Sequence, residues 1–142
     1  MTPSEYTIRH GGGTFDARTL EPVDLPAHGC SAYGPCDGWG ESRKYDEHRA
    51  YAVAYSDGSA QKVYTDRYAN SVLPSAIAGA IANVRARYPL APYIGTWLAD
   101  GVCHVDPVVI LPDLASARIV GRAFGQIAVW DFAAGESVFV DA

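Results

Sequence analysis

Between Pro26 and Arg49 the chain gathers Tyr33, Trp39, Arg43, Lys44, Tyr45 and His48, interspersed with Gly29, Gly34, Gly38 and Gly40. Aromatic faces stack on planar groups, and guanidinium and imidazole N–H groups make directed, charge-assisted hydrogen bonds. These residue types can therefore hold a protein partner or a small planar anion. No helical or strand period runs through the stretch, which predicts a long loop; loops longer than about 12–15 residues are mostly functional or disordered. Ordering such a segment costs entropy while adding little core, and an outside contact is the best offset. Tyr33 and Trp39 are the expected anchors and Arg43 the directed polar contact, with Tyr45 and His48 beside it. Asp46, Glu47 and His48 supply acid and base types, but neighbours in a loop are most often simply solvated.

His10-Gly11-Gly12-Gly13 has the composition of an oxyanion-hole segment, whose backbone amides stabilise a tetrahedral oxyanion. No G-x-S-x-G follows it, and a phosphate-cradling loop would need Gly-Lys-Ser/Thr at its end. The glycines predict a turn or bulge, with close backbone approach to a ligand as the functional alternative for Gly11, Gly12 and Gly13. His28, Cys30 and Cys36, with Cys103 and His104 far off in sequence, hold enough sulfur and imidazole for a tetrahedral zinc site. Cys30 and Cys36 stand farther apart than the usual gap of about two to four residues, so neither metal nor cofactor is expected. Cys103 then reads as a small buried residue beside Val102 and Val105.

At 142 residues the chain reads as a single domain, 1–142, with a loop insertion at about 26–49. Hydrophobic residues at 49% and charged residues at 19% are those of a soluble globular protein. The net charge of −5 is spread along the sequence, and phosphate neutralisation needs clustered Lys and Arg, so no nucleic-acid partner is expected. No apolar run reaches the length of a membrane span, and Met1 to Ile8 lacks an apolar leader core, so neither membrane nor secretion is indicated. Three cysteines, an odd number, argue against a disulfide framework and for a reducing cytoplasm.

The elements that must position these groups are clearest in residues 93–140. Asp100-Gly101 suits a two-residue type I′ turn between strands at Tyr93 to Leu98 and Val102 to Val105. Asp113 stands as an N-cap and Gly125 as a stop, which predicts a helix over Leu114 to Phe124. Its expected core face is Ala117, Ile119, Val120, Ala123 and Phe124; Arg118 and Arg122 share the other face, as solvated charges or as an anion-binding pair. A last hairpin runs through Ile127, Val129 and Trp130, turns at Ala133 to Glu136 and returns over Ser137 to Val140. Trp97, Val120, Phe124, Ile127 and Trp130 are the predicted core. Earlier, alternation predicts a strand at Glu5 to His10, and Pro22 marks an edge. Ala50 to Tyr55 and Ala60 to Asp66 read as a hairpin turned by Asp57-Gly58, followed by a helix from Pro74 to Tyr88 on an Ile77, Ala80, Ile81, Val84 and Tyr88 stripe. The repeated order of hairpin and helix suggests a duplicated unit. Hairpins with two helices between them predict an α+β fold, a mostly antiparallel sheet with two helices packed on one face.

The segment Tyr6 to Ala17, together with Ile94 to Trp97, Asp100-Gly101, Val105-Asp106-Pro107, Gly121-Arg122 and Gly125 to Asp131, resembles small accessory proteins of actinobacteria and their phages with no assigned activity. The likeness covers the two ends and leaves Leu25 to Arg49 unmatched. It implies a cytoplasmic non-structural protein acting on host defence or metabolism, and it carries over no catalytic residue. The expected function is therefore a non-catalytic binding protein, a phage accessory factor that sequesters a host protein or a small anionic ligand. The alternatives are a small enzyme for an anionic substrate, using His10, Arg43, Asp46 or His48, and an assembly protein that forms a homo-oligomer through an edge strand.

Overall fold

The structure, a computed structural model, describes residues 1–23, 50–56, 59–64 and 74–141. The helices are α1 (Pro3–His10), α2 (Pro74–Arg87) and α3 (Leu114–Ala123). The strands are β1 (Gly12–Asp16), β2 (Tyr51–Ala54), β3 (Gln61–Tyr64), β4 (Tyr93–Ala99), β5 (Val102–Leu111), β6 (Ala128–Asp131) and β7 (Glu136–Phe139). Hydrogen-bonded neighbours follow the order β1-β4-β5-β2-β6-β7, and β3 also pairs with β5. The fold is α+β with an antiparallel sheet, as the hairpin pattern predicts; the described residues contain three helices rather than two. The chain packs as two compact units, residues 1–23 with 56–108 and residues 24–55 with 109–142.

The additional helix replaces the strand expected at Glu5 to His10. Thr2 accepts from the Glu5 amide at 3.2 Å, and Glu5 reaches back to the Thr2 amide at 3.4 Å, with Pro3 just inside the start. This capping box satisfies two otherwise orphaned donors, and Arg9 and His10 oppose the negative end of the dipole. Gly11 closes the helix in the left-handed region at φ 80°, its N–H donating to the Thr7 carbonyl at 2.8 Å.

In the first unit α1 and α2 cover the face of β1, β4 and β5 that carries Phe15, Ile94, Val105 and Pro107. Ile77, Ala80, Ile81 and Val84 of α2 are buried, as the predicted stripe requires, while Tyr88, its last expected member, stands just past the helix end and is half-buried. A buried hydroxyl pair, Thr7 Oγ1 and Thr96 Oγ1 at 2.7 Å, joins α1 to β4. The β4–β5 hairpin forms as expected: Ala99 faces Val102, and Asp100 and Gly101 turn with φ of 50° and 75°. Pro22 lies beside Phe15 at the edge of β1, where its missing N–H costs no ladder bond.

The expected hairpin of residues 50–66 does not form. β3 pairs with β5 and β2 with β6, and Ser56 and Ala60, on either side of the expected turn, both bond to Asp106 of β5. The suggested duplication of hairpin and helix falls with it.

In the second unit α3 is capped by Asp113, which accepts from the Ser116 amide at 2.7 Å. The helix rests on Ala117 and Gly121, one turn apart, and a Cβ at Gly121 would stand 2.8 Å from Val140 Cγ2. That close approach turns the helix so that Ile119, expected inside, is exposed, while Val120 and Leu114 are partly buried against Tyr51, Val53, Val129 and Val140. The β6–β7 hairpin forms with Asp131 opposite Glu136. Asp131 Oδ1 accepts from the amides of Ala133 and Ala134 and sets the turn.

Of the predicted core, Trp97 at 54%, Ile127 at 71% and Trp130 at 41% are exposed. Val120 and Phe124 are half-buried. Ile94 and Thr96 on β4, and Val129 and Asp131 on β6, point inward instead. A strand's faces alternate, so choosing the wrong phase turns every side chain over.

Candidate functional site

The 26–49 insertion, with Tyr33, Trp39, Arg43, Tyr45 and His48, lies outside the described residues. The glycine segment is described. Gly11 is a helix cap; a Cβ at Gly12 would meet the Thr96 carbonyl oxygen at 2.6 Å, and one at Gly13 would meet the rings of Phe15 and Tyr6 at 2.8 and 3.0 Å. Helix termination and packing therefore account for glycine at all three positions.

The functional groups that the structure gathers lie on the other face of the first unit's sheet. Partners across a ladder share a face. Gly12 of β1 lies opposite Trp97 of β4, Trp97 opposite His104 of β5, and His104 opposite Lys62 of β3. This row crosses four strands. The next holds Thr14, Gly95 and Asp106. The indole of Trp97 and the imidazole of His104 lie 5.5 Å apart between centroids, inclined by 32°. Because Gly12 has no side chain, the indole has no side-chain neighbour on its direct partner in β1.

His104 Nδ1 is 2.6 Å from Ser59 Oγ. With Nδ1 unprotonated the serine hydroxyl donates to it. Asp106 Oδ1 accepts from Ser56 Oγ and from the Ala60 amide, both at 2.7 Å. Arg87 donates to the Ala60 carbonyl at 3.4 Å. Ser56 and Ala60 are thus tied to β5, and Ala60 also to α2. Burial raises the Asp106 carboxyl above its ordinary value; the Ala60 amide, the Ser56 hydroxyl and attraction to His104 oppose that shift without cancelling it.

Cys103 and His104, the described part of the proposed zinc set, are adjacent on β5 and point to opposite faces. Cys103 is fully buried, and burial pushes its thiol up to about 11. Among the described residues no group of His, Cys, Asp or Glu could hold a metal ion; His28, Cys30 and Cys36 lie outside them. The folded protein should leave Cys103 unalkylated by iodoacetamide at about pH 8, where an ordinary thiol with a pKa of about 8.5 is partly ionised. Denaturation should expose it. Peptide mass spectrometry showing equal labelling in both states would place the thiol at the surface.

Arg118 and Arg122, expected on the solvated face of α3, both reach the end of the last strand, and the Arg122 side chain is 55% exposed. Arg118 Nε donates to the Phe139 carbonyl at 3.2 Å, and Arg122 donates to the Val140 carbonyl at 3.2 Å and the Asp141 carboxylate at 3.0 Å. An open cleft of about 500 Å³ in the second unit is lined by Arg122, Gly125, Gln126, Ile127, Phe139 and Asp141. Its cation and anion neutralise each other, so it offers an apolar wall without a directed charge. Among the described residues no helix is long and apolar enough to cross a membrane.

The sheet-face cluster was partly legible in the sequence. His104 and Asp106, two apart on a strand, must share a face, whereas Ser56 and Ser59 were assigned to a hairpin that does not form. No protein-family model, curated protein or solved structure matches the chain.

Proposed function

We propose that the chain is a non-catalytic binding protein that captures a small planar anion on the outward sheet face of its first unit. One observation carries this reading: Trp97, 54% exposed, stands in a row with the imidazole of His104 and the exposed Lys62. An indole offers a flat apolar surface, and a cation two strands along the same row favours a ligand that carries both a ring and a negative charge. This is the ligand class that the aromatic and basic residues of the insertion also suit. Strand register holds the backbone of the row, so only side-chain rotamers remain to be ordered on binding.

Calorimetric titration with 2-naphthalenesulfonate tests it. The unaltered chain should bind, and Trp97→Ala should weaken binding by roughly tenfold, equivalent to about 1.4 kcal/mol. Thermal stability should barely change, because the side chain is largely solvated. Equal affinity in the variant, or no binding by the parent, would remove the sheet face as the site.

A further inference from the structure

We propose that Ser59 is an activated nucleophile on this face, with His104 as its base, and that it accepts the acyl group of a small aryl ester. The inference rests on the reading of Trp97 as a stacking surface only for the choice of ester. The Ser59–His104 pair stands by itself.

A serine hydroxyl is a weak nucleophile until a base within hydrogen-bond reach can take its proton. Ser59 Oγ and His104 Nδ1, at 2.6 Å, are within that reach. The imidazole lies against the Trp97 indole, which restricts the ring's orientation. Asp106 stands two residues along the same face of β5, and its carboxylate and His104 attract each other. Ser56 and Ala60 are both fixed to Asp106, and Ala60, next in sequence to Ser59, is also held by Arg87. Base, charge stabiliser and backbone support thus converge on one hydroxyl. Asp106 acts through the others and is a positioning residue.

The step is an acyl transfer. Ser59 Oγ attacks the ester carbonyl carbon, forming the new C–O bond, and its proton passes to His104 Nδ1. The bond from that carbon to the aryl oxygen breaks, and the aryloxide leaves with the electron pair. His104 returns the proton to solvent or to the leaving oxygen. No electrons are exchanged, and the product is one acyl-serine per chain, so capture becomes covalent without turnover. A ring on the leaving group is the preferred substrate feature, because the indole adjoins the base.

The probe is p-nitrophenyl acetate, with acetylation sites located by peptide mass spectrometry and nitrophenolate release followed by absorbance. Acetyl should appear on Ser59 faster than on Ser56. In His104→Gln the Ser59 rate should fall by about a hundredfold, the scale of general-base assistance. Asp106→Asn should slow the same step in a chain that melts no lower than the parent, which a merely structural role would not do. Circular dichroism confirms that each variant is folded. Absence of acetyl on Ser59 in the parent, or an unchanged rate in folded His104→Gln, overturns the proposal even if naphthalenesulfonate binds. Acetylated Ser59 in a chain that does not bind naphthalenesulfonate supports it and overturns the planar-anion reading alone.

Discussion

Replacing Phe15 with alanine should lower the stability of the protein by about 3–5 kcal/mol, the cost of emptying a large aromatic site. Phe15 is fully buried on β1, opposite Ile94, with the Tyr6 ring edge-on at 5.6 Å. Its ring tip lies so close to Gly13 that a Cβ there would stand 2.8 Å away. With α1 on one side and β4 on the other, the site has little freedom to collapse. In a chain of this size the loss corresponds to a melting temperature roughly 10–20 °C lower. Trp97→Ala is the matched control, since alternation alone made Trp97 the core residue. Thermal unfolding that ranks the two in the opposite order would show that the sheet of this unit faces the other way.

Asp106 should give opposite results with two substitutions. Asp106→Ala leaves the Ser56 hydroxyl and the Ala60 amide without their acceptor, at about 1–3 kcal/mol for each group that stays buried. Asp106→Asn keeps an acceptor oxygen and removes the charge. Because burial raises the carboxyl, the folded protein holds this proton more tightly than the unfolded chain does. The stabilisation from protonation is fully present below the unfolded carboxyl value, about 3.9, and is lost as pH rises through the raised folded value. Asp106→Asn should therefore melt at or above the parent at neutral pH, and the difference should vanish in acid. An asparagine variant clearly less stable than the parent at pH 7 would mean that the charge itself, acting through His104, holds Ser56 and Ala60 in place.

The parts of the fold that were legible are those with a local cause. Asp100-Gly101 and Asp113 act within a few residues of where they stand, and the turn and cap form at those positions. The α1 signal was also local. Thr2-Pro3-Ser4-Glu5 spells a capping box with proline at the first turn, and its two reciprocal bonds prevail over the short alternation of Tyr6 and Ile8 that suggested a strand. What was not legible depends on distant partners. Nothing near Ser56 or Ala60 in sequence shows that Asp106, a strand away, will take both donors. Nor does β4 alone reveal which phase is inward. Thr96 is buried because Thr7 of α1 supplies its hydroxyl partner, and a helix misread as a strand cannot supply one.

The bond from Arg118 to the Phe139 carbonyl bears on how copies of this chain meet one another. In the β6–β7 ladder the Val140 amide bonds to Ile127, so by antiparallel alternation the Phe139 carbonyl points away from β6, toward the open side of β7. Among the described residues β7 pairs with β6 alone. An outward carbonyl on such a strand is an acceptor for a strand of another molecule, and the exposed side chains of Phe139 and Ile127 would add to the attraction. Arg118 fills that acceptor from α3 and sets a positive charge beside it. An incoming strand must displace a guanidinium before it can bond there, which raises the barrier to edge-to-edge aggregation without any cost to the hairpin itself.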